Sequence, residues 1–576
     1  MRKIAIVGLG PRGLYALEKF LREYSEKGQA KDFFLLLFDC SKYQGAGEAW
    51  NLEQPVTNWM NITERALQDL QGRPEIRFSD VLLPSFPSYS EWVDTTSDSS
   101  LSKDEDTFPP RAKMGRYLNE RFTSIITILI SNKKVELFKK RILKIDYEQG
   151  NFTLLDNTQV TYSCNEVLLT IGHQPTQLSK QLKSWINHVK DKDEITLFEN
   201  AYPTSKIIAS KNIDDGSIVG LRGFGLAMID VARALTICRG GSFETIDPFT
   251  KEVNFSTSPG VPKNIIPFSL DGLPLVPKPL NPELDKPFTP TSSEISTFGD
   301  KISEAAKGIT EVSDISFLLD GIAEIAARVY FNILQTADTY NYKRKELSNC
   351  TINWLQDATH EHALIYSRTN EVTNAISDFI KMATGEVTPS LDYCVGQVWR
   401  HCQPTIYQEL SHAKISNEIM AEIIELDEHM KRYSYGPPVA SMQQVLALSE
   451  AGIMDLDYVS DPQINLSDNG WELASKEKSI VCNVMIDCVL NSPKLLKVNS
   501  SLVKSLLGND IVKPIHSELG IHTHTNGLVD TEDDTQNIPI AVLGRLSKGS
   551  VIGVDAILEC FGPRTKDWAK GVIARF

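Results

Sequence analysis

The glycines near the start of the chain are spaced to bind a phosphate group. They form the pattern G-x-G-x-x-G in the run Gly8-Leu9-Gly10-Pro11-Arg12-Gly13. In such a turn the first glycine permits a tight bend, and the second lets backbone N–H groups approach a pyrophosphate at a helix N-terminus. The third glycine permits close packing of helix on strand. Because the pattern joins the apolar run Ile4–Val7 to a helical pattern, it predicts a dinucleotide-binding turn.

An acidic residue ends the next predicted strand. Phe33–Phe38 is a second run typical of a buried strand, and Asp39 follows it. A carboxylate in this position can accept a hydrogen bond from a ribose hydroxyl. A surface acid without a ligand is the alternative interpretation of Asp39 alone.

A second glycine turn lies further along the chain. The predicted strand Ile218–Leu221 leads to Gly223-Phe224-Gly225 and then to a helix. Met228 stands where the third glycine is expected, which weakens the pattern and leaves open a turn without ligand. Two such units predict electron transfer between two bound cofactors, one FAD and one NADH or NADPH.

A third buried run supports two cofactors. Glu166–Ile171 leads to Gly172 and His173. A strand that ends in a small residue, any residue and glycine marks the point where the chain leaves the first dinucleotide domain in flavoproteins with two such domains. We therefore expect Gly172 at the cofactor, whereas a lone histidine such as His173 is more often structural.

Composition excludes several classes of protein. The 576 residues carry 59 basic and 74 acidic side chains, a net charge of −15, which argues against a nucleic-acid or anionic-membrane partner. The apolar runs are too short to span a bilayer. Nine cysteines without a C-x-x-C pair predict reduced thiols in the cytoplasm and exclude a disulfide reductase. The pairs His360/His362 and His522/His524 lack metal-site spacing, so we predict no metal.

The element pattern predicts an α/β fold with two Rossmann-like dinucleotide-binding domains and a large, mainly helical insertion. Residues 94–107 are polar and acidic and predict a surface loop. The proline-rich stretch 258–290 predicts an extended connection. From about Ser293 to Leu507 the pattern is mostly helical.

Ordered motifs across nearly the whole chain resemble a known family, the flavoproteins of the FAD-dependent urate hydroxylase and aspartate N-monooxygenase type. The motifs are GLGPRGL (8–14), GAG (45–47) with Trp50, Gln54 and Met60-Asn61, TIGHQP (170–175), GFGLAMID (223–230), GSFE (241–244), GLP (272–274) with Lys278, RYSYGPP (432–438), LAL (446–448) with Gly452, and GRLSKGSVIGVD (544–555).

The resemblance implies a domain organisation. Residues 1–205 would form the N-terminal part of an FAD domain, and residues 513–576 would return to complete it. Residues 206–290 would form an inserted NAD(P)H domain. Residues 291–512 would form a mainly helical region for substrate or interaction.

The resemblance also implies cofactor contacts. FAD would be held at the first glycine turn and Asp39, with the flavin ring near Trp50, Gln54 and Asn61 and the site closed by Gly544 and Asp555. Gly223 and Gly225 would face the pyrophosphate of the nicotinamide nucleotide.

One motif departs from the family. Members often have Ser-Arg-Arg-Gly where this chain has Ser269-Leu270-Asp271-Gly272. If those arginines meet a 2′-phosphate, Asp271 would repel it and favour NADH. Arg222, Arg233 and Arg239 are alternative phosphate partners, so both nucleotides stay open.

The function expected from these observations is a flavin monooxygenase that uses O₂ to hydroxylate a small, nitrogen-containing substrate through a C4a-hydroperoxide. One alternative is an NAD(P)H-dependent flavin reductase or oxidase that feeds a partner. Another is a non-catalytic FAD-binding sensor or scaffold.

No catalytic residue is assigned, but two are candidates. Arg400 could pair with a carboxylate or a urate-like anion, and Lys278 matches a family position. The alternatives are a helix-surface arginine and a surface lysine. The oligomeric state is not predicted.

Overall fold

The computed structural model describes residues 1–28, 31–95, 106–336, 342–475, 478–531 and 538–576. Most of the predicted surface loop 94–107 lies outside these residues. The strands are β1 (Arg2–Val7), β2 (Phe33–Phe38), β3 (Ile76–Phe78), β4 (Val81–Leu83), β5 (Val135–Phe138), β6 (Ile142–Glu148), β7 (Asn151–Asp156), β8 (Thr161–Cys164), β9 (Glu166–Leu169), β10 (Thr196–Phe198), β11 (Ile218–Arg222), β12 (Ser242–Asp247), β13 (Glu252–Ser256), β14 (Asn264–Phe268), β15 (Gln463–Ser467), β16 (Gly470–Ser475), β17 (Lys478–Cys482), β18 (Val484–Asp487) and β19 (Ile540–Val542).

The helices alternate with these strands and dominate the middle of the chain. They are α1 (Pro11–Glu23), α2 (Glu64–Leu67), α3 (Tyr89–Thr95), α4 (Arg111–Ser131), α5 (Lys180–Val189), α6 (Thr204–Ile208), α7 (Leu226–Leu235), α8 (Pro282–Asp285), α9 (Ser292–Ala306), α10 (Ser316–Thr336), α11 (Arg344–Gln356), α12 (Val372–Thr384), α13 (Leu391–Leu410), α14 (Asn417–Ser434), α15 (Val439–Glu450), α16 (Ser501–Gly508), α17 (Ile557–Cys560) and α18 (Arg564–Ala574). In the described part of the chain, none of them is long and apolar enough to cross a membrane.

The first parallel sheet has five strands in the order β19-β9-β1-β2-β5. Successive side chains of a strand point to opposite faces. Ile4 and Ile6 of β1 therefore pack with α1, α4 and α18, whereas Ala5 and Val7 pack toward β6, β7 and α16. Both faces of β1 are covered, which is why its sequence is an unbroken apolar run.

The second parallel sheet has four strands in the order β10-β18-β11-β14. The predicted range 206–290 is too narrow for it. The strand β10 lies before this range, and β18 comes from the region predicted to be helical. The sheet can recruit these strands because pairing depends on distance in space and not along the chain.

The proline-rich stretch is not only an extended connection, because it contains β14. Ile265 and Ile266 have no exposed surface. Pro267 lacks an N–H, yet it is tolerated because β14 pairs as a strand only with β11 and makes single bridges on its other side, at Ile265 to Met454 and at Ser269 to Ser460.

The helical region runs from α9 to α15 and packs around α13. The region predicted to be mainly helical also contains strands, because β15, β16 and β17 form an antiparallel sheet before α16. Trp471 and Leu473 of β16 are fully buried beside the second parallel sheet. The described residues thus confirm the α/β class with two parallel sheets and a large helical portion.

Candidate functional site

The first glycine turn is tight at its ends and open in its middle. Gly8 has φ +95° and donates its N–H to Phe38 O at 2.8 Å. A Cβ on Gly13 would collide with the carbonyl of Gly8, so α1 packs directly on the turn. A Cβ on Gly10 would meet nothing nearer than Gly47 Cα at 3.8 Å. The N-terminus of α1 therefore opens onto free space at Gly10, which fits a pyrophosphate.

Asp39 lies against this turn. Its Oδ2 accepts from Leu9 N at 2.9 Å, and its Oδ1 accepts from Ser41 N at 2.8 Å. Each oxygen has a second lone pair, so the carboxylate can brace the turn and still accept from a ribose hydroxyl. The structure places Asp39 as the sequence predicts.

Arg12 connects the first turn to the C-terminal segment. Its Nη1 donates to Glu559 O at 3.2 Å. Gly544 has φ +104°, and a Cβ there would lie 2.9 Å from Arg12 Nε. The side chain of Arg12 is thus enclosed by residues from the other end of the chain, and Gly544 lies next to α1.

Asp555 belongs to a cluster of opposite charges. It pairs with Arg545, with Lys431 at 2.7 Å and with Lys548 at 3.6 Å. These three cations hold the pKa of Asp555 well below its usual range, against the opposing effect of burial.

Gly172 has φ +60° and no atom within 4 Å of a Cβ position, so the end of β9 is open.

The second glycine turn follows β11. Gly223 has φ +116° and donates its N–H to Phe268 O at 2.7 Å. Gly225 precedes α7, and no atom lies within 4 Å of a Cβ placed there. Met228, at the third glycine position, is 2 % exposed and points into the core. This turn therefore keeps an open helix N-terminus although the third glycine is absent.

The loop between Trp50 and Asn61 holds its own shape. The amide nitrogen of Gln54 donates to Ala49 O at 3.0 Å, and its oxygen accepts from Asn58 Nδ2 at 3.1 Å. The carbonyl of Trp50 packs against Gly115 of α4, where no larger side chain would fit. Trp50 and Gln54 thus fix the loop that carries Asn61.

Asn61 is bonded on one side only. Its Nδ2 donates to Tyr435 O at 2.7 Å, whereas its buried Oδ1 has no hydrogen-bond partner among the described residues. A buried acceptor without a partner is costly, because it has lost its water. Asn61 Oδ1 is therefore an acceptor available to a ligand.

One candidate catalytic residue contacts Asn61, and the charge of the other acts on it. Lys278 Nζ donates to Asn61 O at 3.0 Å. Burial, followed by the charge of Arg400, lowers the pKa of Lys278 to about 7, and Asp285 opposes this shift. Arg400 forms an ion pair with Asp285, whose carboxylate also lies 3.2 Å from His401 Nε2. Neither Lys278 nor Arg400 is a free surface residue.

Sequence analysis did not single out Glu559 or Tyr435 individually. The hydroxyl of Tyr435 donates to Glu559 Oε1 at 3.4 Å. Burial raises the pKa of Glu559 to about 7. Tyr435 lies in the motif RYSYGPP, which could have identified it, but nothing near Glu559 indicated a role. Among the described residues, no group of three or more potential ligands could hold a metal ion.

Comparison with known proteins agrees with this geometry. Residues 5–174 match a family model described as FAD-NAD(P)-binding. This stretch contains the first glycine turn, Asp39, the loop of Asn61 and Gly172. The match confirms the prediction of FAD and a nicotinamide nucleotide as cofactors.

Two relatives extend the similarity. The chain is 24% identical to nitrosuccinic acid synthase npaA of Aspergillus oryzae, over 90% of this chain and 83% of that protein. It is 24% identical to an L-aspartate N-monooxygenase (nitrosuccinate-forming) of Streptomyces cremeus, over 42% of this chain and 38% of that protein. The predicted resemblance is confirmed by these similarities.

Solved structures of low sequence identity also align. One is a cyclohexanone monooxygenase bound to epsilon-caprolactone. The alignment covers 100% of this chain and 89% of that chain, with a TM-score of 0.43 and 12% identity. A flavin monooxygenase from Stenotrophomonas maltophilia gives a TM-score of 0.41 and 11% identity, over 100% of this chain and 99% of that chain.

Proposed function

We propose that the protein is an FAD- and NAD(P)H-dependent monooxygenase that hydroxylates the nitrogen of a small amino acid of the aspartate kind. The observation that carries this proposal is the similarity to nitrosuccinic acid synthase over 90% of the chain. Two open glycine turns in the same chain support it, because hydride transfer needs two nucleotide cofactors in one protein.

The first turn and Asp39 would hold FAD through its pyrophosphate and ribose. When bound, FAD accepts a hydride from the nicotinamide nucleotide and activates O₂. The amino acid, O₂, NAD(P)H and a proton would then give the N-hydroxy acid, water and NAD(P)⁺. The protein has to position the amine and exclude water, since the chemistry itself is supplied by the cofactor.

Lys278 and Arg400 would anchor the carboxylates of the substrate. They lie on separate segments; Lys278 contacts Asn61, and the charge of Arg400 acts on Lys278. Among the described residues, Asp285 is the carboxylate that pairs with Arg400, and its charge also acts on Lys278. An acidic substrate would supply a further carboxylate beside Arg400 and would favour the charged form of Lys278, because a buried ammonium requires a partner.

Asn61 would position the nitrogen. Its buried Oδ1 has no partner among the described residues, and the Lys278 ammonium lies on its backbone oxygen. An amino acid would therefore find an acceptor for its amine next to cations for its carboxylate.

The anaerobic visible spectrum tests the first half of the proposal. We expect a yellow protein that NADH or NADPH bleaches. A protein that binds FAD but is bleached by neither would contradict the proposal and favour the non-catalytic flavoprotein.

Admission of air tests the second half. With L-aspartate, nucleotide oxidation should accelerate and a product 16 mass units heavier should form. Succinate is the matched control, since it has both carboxylates and no amine. If every amine tested gives only hydrogen peroxide, the proposed hydroxylation fails and the reductase or oxidase alternative replaces it.

Other properties are proposed on composition alone. The net charge of −15 supports a protein without a nucleic-acid partner. Nine cysteines, none in a disulfide, support a cytoplasmic location.

A further inference from the structure

A cavity of about 500 Å³ lies beyond the carboxyl end of β14. One wall is formed by residues 271–274, which follow β14. A second wall is formed by residues 456–460, whose last member forms a bridge with Ser269. The remaining walls come from α12, α14 and the segment before α12. In open α/β sheets, ligands bind outside the carboxyl ends of the parallel strands, and this cavity has that position.

Asp271 lines the cavity and follows the carboxyl end of β14 by three residues. The strands β11 and β14 are parallel neighbours, and the second glycine turn leaves β11. The residues just after β14 thus correspond to the point where an acid meets the adenosine ribose in a dinucleotide-binding unit. Asp271 is exposed to the cavity, and Leu270 is 88 % exposed.

The carboxylate of Asp271 is pre-arranged. Its Oδ1 accepts from Leu273 N at 3.2 Å and from Ser269 Oγ at 3.2 Å. Oδ2 takes part in neither bond. One oxygen therefore fixes the turn while the other can accept from a ligand hydroxyl.

The arginines near the second glycine turn are engaged elsewhere. Arg222 pairs with Asp487 at 2.9 Å. Arg233 donates to Ser441 Oγ and Gln444 Oε1, at 2.6 and 2.8 Å. Arg239 donates to backbone carbonyls that include Ile213 O at 2.8 Å. A 2′-phosphate would have to break one of these arrangements to gain an arginine there.

The cations of the cavity line other walls. Arg432 Nε donates to Pro274 O at 2.8 Å, and Arg368 Nη1 donates to Ala358 O at 3.1 Å. His429 completes this group, and its pKa is lowered by burial and by both arginines. These side chains define the competing possibility, a phosphate site inside the cavity.

We propose that this cavity receives the adenosine of the nicotinamide nucleotide and that Asp271 selects NADH over NADPH. The proposal rests on the proposed function of the second glycine turn as a nicotinamide-nucleotide site. Asp271 accepts from the ribose hydroxyls of NADH. It repels the 2′-phosphate of NADPH, since like charges at hydrogen-bond distance are strongly unfavourable.

Direct binding and flavin reduction test this selection in the FAD-loaded protein. Calorimetry should show NAD⁺ bound more tightly than NADP⁺ by about tenfold or more, the value of a hydrogen bond to a charged group. Anaerobic flavin reduction should show the same preference in the ratio of rate to half-saturating concentration. Tighter binding of NADP⁺ would overturn the proposal and point to Arg368 and Arg432.

Two substitutions at Asp271 make the test residue-specific. Asp271→Asn keeps the acceptor for Leu273 N and should reduce the preference to near unity. Asp271→Arg should reverse it. Glu361→Gln is the matched control, because Glu361 is an exposed acid that does not line the cavity and should leave the ratio unchanged. If Asp271→Asn protein has the melting temperature of the parent and an unchanged preference for NADH over NADPH, the proposal is also overturned.

The experiment separates this inference from the proposed function. In one outcome, neither nucleotide bleaches the flavin, but NAD⁺ binds and Asp271→Asn weakens this binding. The redox function then fails, and the selection by Asp271 stands. If both nucleotides bleach the flavin equally well and bind equally, the redox function stands and the selection fails.

Discussion

Arg111 and Asp230 join the two dinucleotide-binding units, with Arg111 Nη2 donating to Asp230 Oδ2 across 2.7 Å. Arg111 begins α4, which packs on the first sheet, and Asp230 lies in α7, which follows the second glycine turn. Tyr202 donates its hydroxyl to the same oxygen at 2.6 Å, and Arg233 lies 3.7 Å from the other oxygen. The distance between the two nucleotide sites is thus fixed by a buried charge cluster.

Removal of this carboxylate should destabilise the protein strongly. Asp230→Asn keeps the shape but leaves Arg111 and Arg233 without a counter-ion, so we expect a loss of about 3–5 kcal/mol in the free energy of unfolding. Urea unfolding measures this loss. The matched control is Asp457→Asn, which removes an exposed pair with Lys478 and should cost less than about 1 kcal/mol. Equal losses would contradict the structural role of Asp230.

Two glycines of the first turn should fail in different ways. Gly10→Ala places its Cβ in open space, so the protein should fold and melt normally but lose its yellow colour. Gly13→Ala collides with the carbonyl of Gly8 and should lower the melting temperature as well. Absorbance at 450 nm and thermal unfolding separate the two effects. The control is Gly508→Ala, whose Cβ meets no atom within 4 Å. Full retention of FAD in Gly10→Ala would contradict a pyrophosphate at that position.

Lys278 should control substrate affinity without affecting flavin reduction. Lys278→Met should raise the KM for L-aspartate by about tenfold or more through the loss of a charge-assisted hydrogen bond. The rate of anaerobic flavin reduction should stay within twofold. Lys286→Met, an exposed lysine eight residues later, is the control and should change neither value. A parallel loss of flavin reduction in Lys278→Met would show that the change damages the cofactor site instead.

Lys278 should also make stability depend on pH. Its pKa is lowered to about 7 in the folded protein from 10.5, so between these values the unfolded chain binds more protons. The free energy of unfolding therefore rises with pH in that window. Lys278→Met should flatten this part of the profile in urea unfolding at pH 7, 8 and 9. A slope unchanged by the substitution would contradict the lowered pKa.

Glu559 should make the free energy of unfolding fall as the pH rises, opposite to the effect of Lys278. Burial raises its pKa from 4.5 to about 7, so the folded protein holds the proton more tightly, and its contribution to stability is lost as the pH rises from 4.5 through 7. Glu559→Gln keeps an acceptor for Ala556 N and should be more stable than the parent at pH 8 but not at pH 4.5. Glu450→Gln, an exposed acid at the end of α15, serves as the control. No gain at pH 8 would argue against the raised pKa.

The first nucleotide unit could be predicted because its signals are local. The apolar run of β1, the glycine turn and the periodicity of α1 are contiguous, and Asp39 follows directly after β2. Local patterns of this kind report burial and backbone conformation within one element. The position of Met228 was also visible, although the sequence does not reveal that its side chain turns into the core.

The second sheet could not be assembled from local signals. Pro267 argued against a strand, yet β14 tolerates it because its outer side makes only single bridges. The strand β18 has four residues and pairs with β10 and β11, both more than 260 residues earlier. Periodicity identifies such short strands poorly and says nothing of their partners.

The arrangement of Lys278, Arg400 and Asn61 also could not be predicted from local signals. Asn61 and Lys278 are 217 residues apart, and Arg400 comes from a third segment. The sequence identified each residue as a candidate, but only the tertiary structure brings Lys278 onto the loop of Asn61 and places Arg400 where its charge acts on Lys278. The missing information was the tertiary arrangement and not the residue types.

The position of β18 between β10 and β11 has a consequence for protein synthesis. The second parallel sheet lacks one of its two central strands until residues 484–487 have been synthesised, and the first sheet gains an edge strand only with residues 540–542. Until β18 is made, β10 and β11 lack the strand that lies between them, and unpaired strand edges of this kind make a partly folded chain prone to aggregation.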